Sequence, residues 1–168
     1  SYDLLTSLVN RREGMKQLVL QMNLARRLNT PLGIAYLDID HFKRINDVFG
    51  HQQGDETLKK LAKVLRHVIR SSDTICRWGG EEFLLFANNT DLGDMVALGE
   101  KIRREVRAAF FDDRSPITIS LGITTSNGEE EISEALARAD TAMYRAKHNG
   151  RNRVEFTSSD IQPSQVEL

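Results

Sequence analysis

The sequence holds a single cysteine, Cys76, in 168 residues. One thiol cannot form an internal disulfide. Cys76 also lies in an apolar run that reads as a buried strand, so a core thiol is expected. No apolar run is long enough to span a bilayer, and the N-terminus lacks the form of a signal peptide. A cytoplasmic domain without direct membrane contact is the expectation, and a membrane-attached parent protein stays open. Excess charge of one sign is missing too: 23 Lys and Arg against 24 Asp and Glu leave a net charge of −1. That balance argues against bulk electrostatic binding to a nucleic-acid polymer. A small anion needs only a local cluster and is not excluded. Internal repeats, linkers and low-complexity segments are also lacking.

The composition, 40% hydrophobic and 28% charged, is that of a globular domain. A chain of this length most simply forms one domain with a core that needs no staples. The start at Ser1 rather than Met suggests a domain taken from a longer protein.

Apolar spacing predicts a helix over Arg11 to Leu28, with Met15, Leu18, Val19, Met22 and Ala25 inward. Gly33-Ile34-Ala35-Tyr36-Leu37 reads as a central strand ending in Asp38-Ile39-Asp40. A short helix follows over His41 to Val48, then a longer one from Gly54 to Arg70. Thr74 to Trp78 and Phe83 to Phe86 read as two strands joined at Gly79-Gly80, a pair suited to the positive φ angles of a two-residue hairpin turn. Asp91 is placed to cap a helix reaching Phe110. A strand at Ile117 to Ile123, a helix from Ile132 to His148 and a strand at Val154 to Phe156 complete the body. After the first helix the order is βαββαβ plus a terminal helix and strand. This is the α+β, split βαβ pattern of ferredoxin-like and palm-type sheets, with helices on one face. The domain is expected over residues 1–156, and a disordered polar tail over 157–168.

The chemistry comes from joining two strand ends. Asp38 and Asp40 leave the first strand, and in a split βαβ sheet that strand adjoins the hairpin whose tip carries Glu81. Clustered carboxylates with the Ile39 carbonyl suit Mg²⁺, a hard cation usually shared with substrate phosphates. Read alone, Asp38 and Asp40 are equally a strand-end turn with a helix cap. His41-Phe42-Lys43 enters a helix whose free N–H groups could cradle an anion. Lys147 and Arg151 lie four apart at the end of the last helix, close enough to act on one anion, or simply to favour that helix end by charge.

These residues carry a resemblance. Asp38 to Asp47, Phe49 to Asp55 and Arg77-Trp78-Gly79-Gly80-Glu81-Glu82-Phe83 resemble the GGDEF family of diguanylate cyclases. Asp3 to Arg12 is similar to the family's D-x-L-T-G-L-x-N-R-R signature, with Ser7 in place of its glycine. Ala139 to Asn152 is similar to A-D-x-A-M-Y-x-A-K-x-x-G-R-N. The resemblance implies condensation of two GTP into cyclic di-GMP and two pyrophosphates. Asp38, the Ile39 carbonyl and Glu81 would hold Mg²⁺, with Mn²⁺ an alternative and Glu82 close by. Glu81 would position the attacking 3′-hydroxyl, and Lys43 would stabilise transition-state charge. Phe42, Asn46, His51 and Asp55 would contact substrate, and Lys147 and Arg151 would hold terminal phosphates. Asp55 has a physical reason to select guanine, since a carboxylate accepts from both N1–H and the 2-amino group. His51 reads equally as a helix-entry residue.

One site handles one GTP, so the resemblance implies a homodimer as part of catalysis. It also implies an upstream regulatory domain outside this chain. Arg70-Ser71-Ser72-Asp73 has the spacing of an inhibitory product site for cyclic di-GMP, with Arg103 and Arg104 as candidates to complete it from a second protomer. The alternative is a receptor that binds cyclic di-GMP or GTP without catalysis.

Overall fold

Six strands form one mixed sheet in the computed structural model, which describes residues 1–159. The elements are β1 (Val9–Asn10), α1 (Arg11–Leu28), β2 (Leu32–Ile39), α2 (Phe42–Phe49), α3 (His51–Val68), β3 (Thr74–Arg77), β4 (Glu82–Ala87), α4 (Leu92–Phe110), β5 (Ile119–Ser126), α5 (Ile132–His148) and β6 (Arg153–Phe156). The sheet order is β1-β3-β4-β2-β5-β6. Its middle four strands pair antiparallel, and β1 and β6 add parallel at the two edges. The middle is thus the expected βαββαβ unit, in an α+β palm-like fold. β2 has a neighbour on each side and is buried on both faces, which explains its near-continuous apolar run.

Helices cover both faces, not one. Leu58, Leu61 and Leu65 of α3 and Met95, Ile102 and Val106 of α4 pack with Ala35, Leu37, Phe83 and Leu85. Leu18 and Met22 of α1 and Ala139 and Met143 of α5 pack with Ile34, Tyr36, Leu84 and Phe86 on the other. The βαββαβ pattern accounts for only one layer; α1 and α5, outside that unit, supply the second. Each fully buried leucine contributes about 2 kcal/mol of apolar transfer energy, so both layers are needed to shield a sheet apolar on both sides. Gly122 of β5 allows this close fit, since a Cβ there would collide with the α5 backbone at Ala139 and Met143.

Local chemistry sets several boundaries. The Asn10 side chain caps α1 by accepting from Glu13 N–H at 2.9 Å, and Asp91 caps α4 through Asp94 N–H at 2.8 Å. Within α1, Val19 is 41% exposed, on the outer side of the apolar stripe. α3 begins at His51 rather than Gly54, directly after Gly50 at φ 90°. Cys76 is buried as expected; its thiol donates to the Asn10 carbonyl, and burial pushes its pKa to about 12. Thr157, expected in the tail, is instead buried and bonded through its N–H to the Ile123 carbonyl at 2.9 Å. The rest of the expected tail, from residue 160, lies outside the described residues. Among the described residues no helix is long and apolar enough to cross a membrane.

Candidate active site at the ends of the central strands

β2 carries Asp38 to the end of the sheet, where it faces Glu82, the first residue of β4. Glu81 precedes it in the turn between β3 and β4. The Ile39 N–H points at the Glu81 carbonyl at 3.4 Å, and the Asp38 and Glu81 carboxyl groups lie close enough for the Asp38 charge to act on Glu81. Asp38, the Ile39 carbonyl, Glu81 and Glu82 are therefore neighbours.

The turn differs from the two-residue hairpin expected at Gly79-Gly80. Trp78 and Gly79 both donate to the Glu82 carbonyl, at 2.9 and 3.1 Å, and neither glycine has a positive φ. The absent side chain matters instead, because a Cβ on Gly80 would point into open space. Glycine leaves that side of Glu81 uncovered. Arg77 then staples the turn. Its guanidinium donates to the Gly80 carbonyl at 3.2 and 2.8 Å and to the Asp3 carboxylate at 3.2 and 3.1 Å. Both residues stood in recognised stretches, but nothing local to either named the other as partner.

Asp40 has a different part from Asp38. It is buried and accepts from Thr118 Oγ1 (2.7 Å), Ser120 Oγ (2.6 Å) and Asn152 N–H (3.0 Å). These bonds tie β5 and the segment after α5 to the end of β2. Asp40 is thus a positioning residue, and Asn152, Thr118 and Ser120 are partners that sequence reasoning missed.

Lys147 reaches this centre rather than standing free for an anion. Its ammonium lies 2.9 Å from Asp38 Oδ1, 3.4 Å from the Ile39 carbonyl and 3.5 Å from Asp40 Oδ1. One ammonium does not balance the cluster. Burial raises the Asp38 carboxyl above its ordinary value despite the Lys147 contact, with Asp40 adding to the rise. Burial raises Glu81 and Glu82 as well, and the Asp38 charge adds to both. Asp140, not singled out in the sequence, also raises Glu82.

α5 ends at His148, so Arg151 does not continue the helix with Lys147. Gly150, Arg151 and Asn152 take φ 120°, 63° and 45°, a left-handed run that turns the chain back toward Asp40. The Arg151 Nε is buried without a hydrogen-bond partner.

The remaining positions lie on α2 and α3. α2 begins after His41, at φ 56°, and no side chain caps its first turn. Lys43 is exposed on that turn. Phe42 is buried, so its ring serves the core and its backbone is what α2 offers a ligand. Asn46 packs against Gly54, where a Cβ would collide with its side-chain oxygen. His51 and Asp55 share the exposed first turns of α3.

Arg70 and Asp73 are together but satisfied by one another. Asp73 Oδ2 accepts from the Arg70 N–H at 2.9 Å, and Asp73 Oδ1 meets Arg70 Nη2 at 3.3 Å. The Asp73 side chain is fully buried, while 60% of the Arg70 side chain is exposed. Arg103 is held by Glu100 and by Asn152 Oδ1 at 3.1 Å, and Arg104 is largely exposed.

The donor set fits a hard divalent cation. Asp38 and the Ile39 carbonyl already converge on a positive group, the Lys147 ammonium, and Glu81 adjoins them. Among the described residues no three His, Cys, Asp or Glu side chains form a metal-holding group by themselves. Two carboxylates and a carbonyl are the set that Mg²⁺ completes with water and phosphate oxygens.

The model of the diguanylate cyclase GGDEF domain matches residues 1–153. The chain belongs to the GGDEF family. Among curated relatives, this GGDEF domain is 40% identical to diguanylate cyclase A of Treponema denticola, over 77% of the chain and 36% of the relative. It is also 40% identical to the response regulator PleD of Caulobacter vibrioides, over 90% and 35%. The chain thus spans about a third of these proteins. Among solved structures, the active GGEEF domain of a diguanylate cyclase from Vibrio cholerae superposes with TM-score 0.83 at 38% identity, covering 89% of this chain and 97% of that one. The coiled coil and GGDEF domain of DgcB from Caulobacter crescentus, in complex with c-di-GMP, gives 0.88 at 32%, covering 94% and 85%.

Proposed function

We propose that this domain, a GGDEF domain with glutamate at position 81, condenses two GTP into cyclic di-GMP and two pyrophosphates. The observation that carries the reading is the meeting of Asp38, the Ile39 carbonyl and Glu81 beside the uncapped start of α2. Asp38, the Ile39 carbonyl and Glu81 would hold Mg²⁺ or Mn²⁺, with Glu82 adjoining. When bound, the cation would neutralise phosphate charge and lower the pKa of a nearby hydroxyl.

This chain's residues bind and aim. Asp55 and Asn46 read the guanine edge, with His51 in the same exposed turn. The free N–H groups at Phe42 and Lys43 cradle phosphates, and the Lys43 ammonium stabilises charge building at the α-phosphorus. Lys147 turns from Asp38 toward the terminal phosphates and Arg151 joins it. Glu81 orients the 3′-hydroxyl. The 3′-hydroxyl oxygen bonds to the α-phosphorus of the other GTP, its proton passes by way of the Glu81 carboxylate to water, and pyrophosphate departs with the electron pair of the broken phosphorus–oxygen bond. The ring closes when the second site does the same, so two domains face each other about a two-fold axis. Upstream segments outside this chain would set how often they meet.

Nucleotide chromatography after incubation with GTP and Mg²⁺ tests this. Cyclic di-GMP should rise more steeply than linearly with protein. Asp38→Asn and Glu81→Gln should each lower it on the order of 10³-fold, with melting temperatures at or above that of the wild type. Linear dependence on protein would remove the dimer from the mechanism. Full activity in either variant would move the site elsewhere.

For product inhibition we propose Arg70 as the exposed contact, stacking on a guanine and gripping phosphate, with Asp73 fixing its loop. Calorimetry with cyclic di-GMP should show binding that weakens about a hundredfold in Arg70→Ala. Unchanged affinity would rule this site out.

A further inference from the structure

A cleft of about 370 Å³ opens between α2, the end of α4 and the segment 111–118. Ile45 and Ile117 are buried at its floor, and the rings of Phe49 and Phe111 line it. Phe111 is 68% exposed, a large aromatic surface left to water. Arg44 and Arg107 line the exposed margin. Neither guanidinium has an ion pair or hydrogen bond among the described residues. The one carboxylate at the pocket wall near α2, Asp40, is already bonded to Thr118, Ser120 and Asn152. It has little capacity to pair with either arginine.

This combination has a definite complement. Two unpaired guanidinium groups favour a carboxylate or phosphate, which they bind by short, charge-assisted hydrogen bonds. The aromatic and aliphatic lining favours a flat apolar body, and the volume suits a small molecule. The cleft also touches the helix that carries substrate contacts. Phe42 and Asn46 lie on the Gly54 side of α2, while Arg44, Ile45 and Phe49 lie on the cleft side. α2 is eight residues long, entered by His41 at φ 56° and left by Gly50 at φ 90°. A body pressed on one side of so short a helix shifts what the other side presents.

We propose that this cleft binds a small amphiphilic anion, a flat apolar body bearing one carboxylate or phosphate, and that its occupant changes GTP affinity through α2. The coupling half rests on the substrate reading given above; the binding half does not.

The test is calorimetry with 1-naphthyl phosphate, beside inorganic phosphate and 1-naphthol. The wild type should bind the ester at one site per chain, about tenfold or more tighter than either fragment. The Arg44→Ala, Arg107→Ala double variant should bind it about tenfold or more weakly with an unchanged melting temperature. Lys43→Ala should bind it as the wild type does. Equal binding in the double variant, simple displacement of the ester by GTP, or phosphate binding as well as the ester would each overturn the site. Loss of ester binding as the chain self-associates would assign the cleft to a second copy instead. With the ester saturating, GTP affinity should change at least about twofold in the wild type and not in the double variant. An unchanged GTP affinity overturns the coupling. Absence of any GTP binding overturns the substrate reading and leaves the ester titration standing.

Discussion

Helix α5 carries an ionic cluster at each end. Near its start, Arg138 is buried and pairs with Glu130 through both terminal nitrogens, the Nη2–Oε2 contact being 2.6 Å. Its Nε donates to Thr124 Oγ1 at 3.0 Å and its Nη2 also to the Thr125 carbonyl at 2.9 Å. Nine residues on, about 13 Å along the helix axis, Lys147 faces Asp38, Asp40 and the Ile39 carbonyl. Glu81 and Glu82 crowd the same place, and burial and mutual repulsion raise both carboxyls. The first cluster is closed: each nitrogen has a partner and the charges balance. The second has more negative charge than its one ammonium answers. A closed pair holds a helix to a sheet, whereas an open one holds free energy that a cation or a phosphate-bound cation can release. The same helix carries a balanced pair at one place and unbalanced negative charge at the other.

Breaking the closed end should cost the most stability. Glu130→Gln leaves the buried Arg138 guanidinium without its counter-charge, and urea unfolding should show a loss of about 3 kcal/mol. GTP-dependent chemistry of the surviving folded fraction should be unchanged. A loss below about 1 kcal/mol would mean that the two ends are more alike than the geometry indicates.

Lys147→Met sharpens the contrast from the other side. The ammonium and a divalent cation draw on the same oxygens, so removing it should tighten Mn²⁺ binding without nucleotide about tenfold, or about 1.4 kcal/mol. Paramagnetic resonance of free Mn²⁺ reads this directly. Arg151→Gln should do much less, since Arg151 makes no contact with those oxygens. Equal effects would reduce the result to general electrostatics.

The smallest expected effect is on stability against pH. Asp38, Glu81 and Glu82 have folded-state pKa values above their ordinary 3.8, 4.5 and 4.5. Between those ordinary values and the raised ones the native state binds more protons than the unfolded chain. Stability therefore falls as pH rises through that window and is regained on acidification toward the ordinary values. Wild-type melting curves should show this fall relative to an Asp38→Asn, Glu81→Gln double variant, whose curve should be flatter. A wild type that gained stability over the window relative to the variant would reverse the assignment of strain to this cluster.

Much of this arrangement was legible along the chain. α1 has the expected limits, Asp91 caps α4, and β2 ends in the carboxylate that meets the hairpin turn. Each rests on information carried within a few residues: a 3.6-residue stripe, a side chain accepting from the third N–H ahead, an apolar run broken by charge. The family signatures named candidate site residues for the same reason, since each lies within a short stretch. Where local rules competed, they misled. Gly79-Gly80 matches a two-residue hairpin, yet Arg77 bonded to the Gly80 carbonyl and to Asp3 stabilises a longer turn without positive φ. Ser7 shows the converse. It stands at φ 62°, which explains why the family signature has glycine there, and its N–H bond to the Asp3 carbonyl at 2.8 Å helps hold the turn.

By itself the sequence determined most helices and strands, though not the edge strand β1 or the limits of β5, expected at Ile117 to Ile123 and found at Ile119–Ser126, and it determined which short stretches carry carboxylates, lysines and helix entries. These are decided by the periodicity of neighbouring side chains and by local backbone chemistry. The tertiary structure alone decided that helices cover both faces, that Lys147 rests on Asp38, 109 residues away, and that Asn152 N–H meets Asp40, 112 residues away. Such partners are set by strand order and by how α5 lies across β5 and β2. No pattern within a few residues encodes which distant charge will arrive at a given strand end.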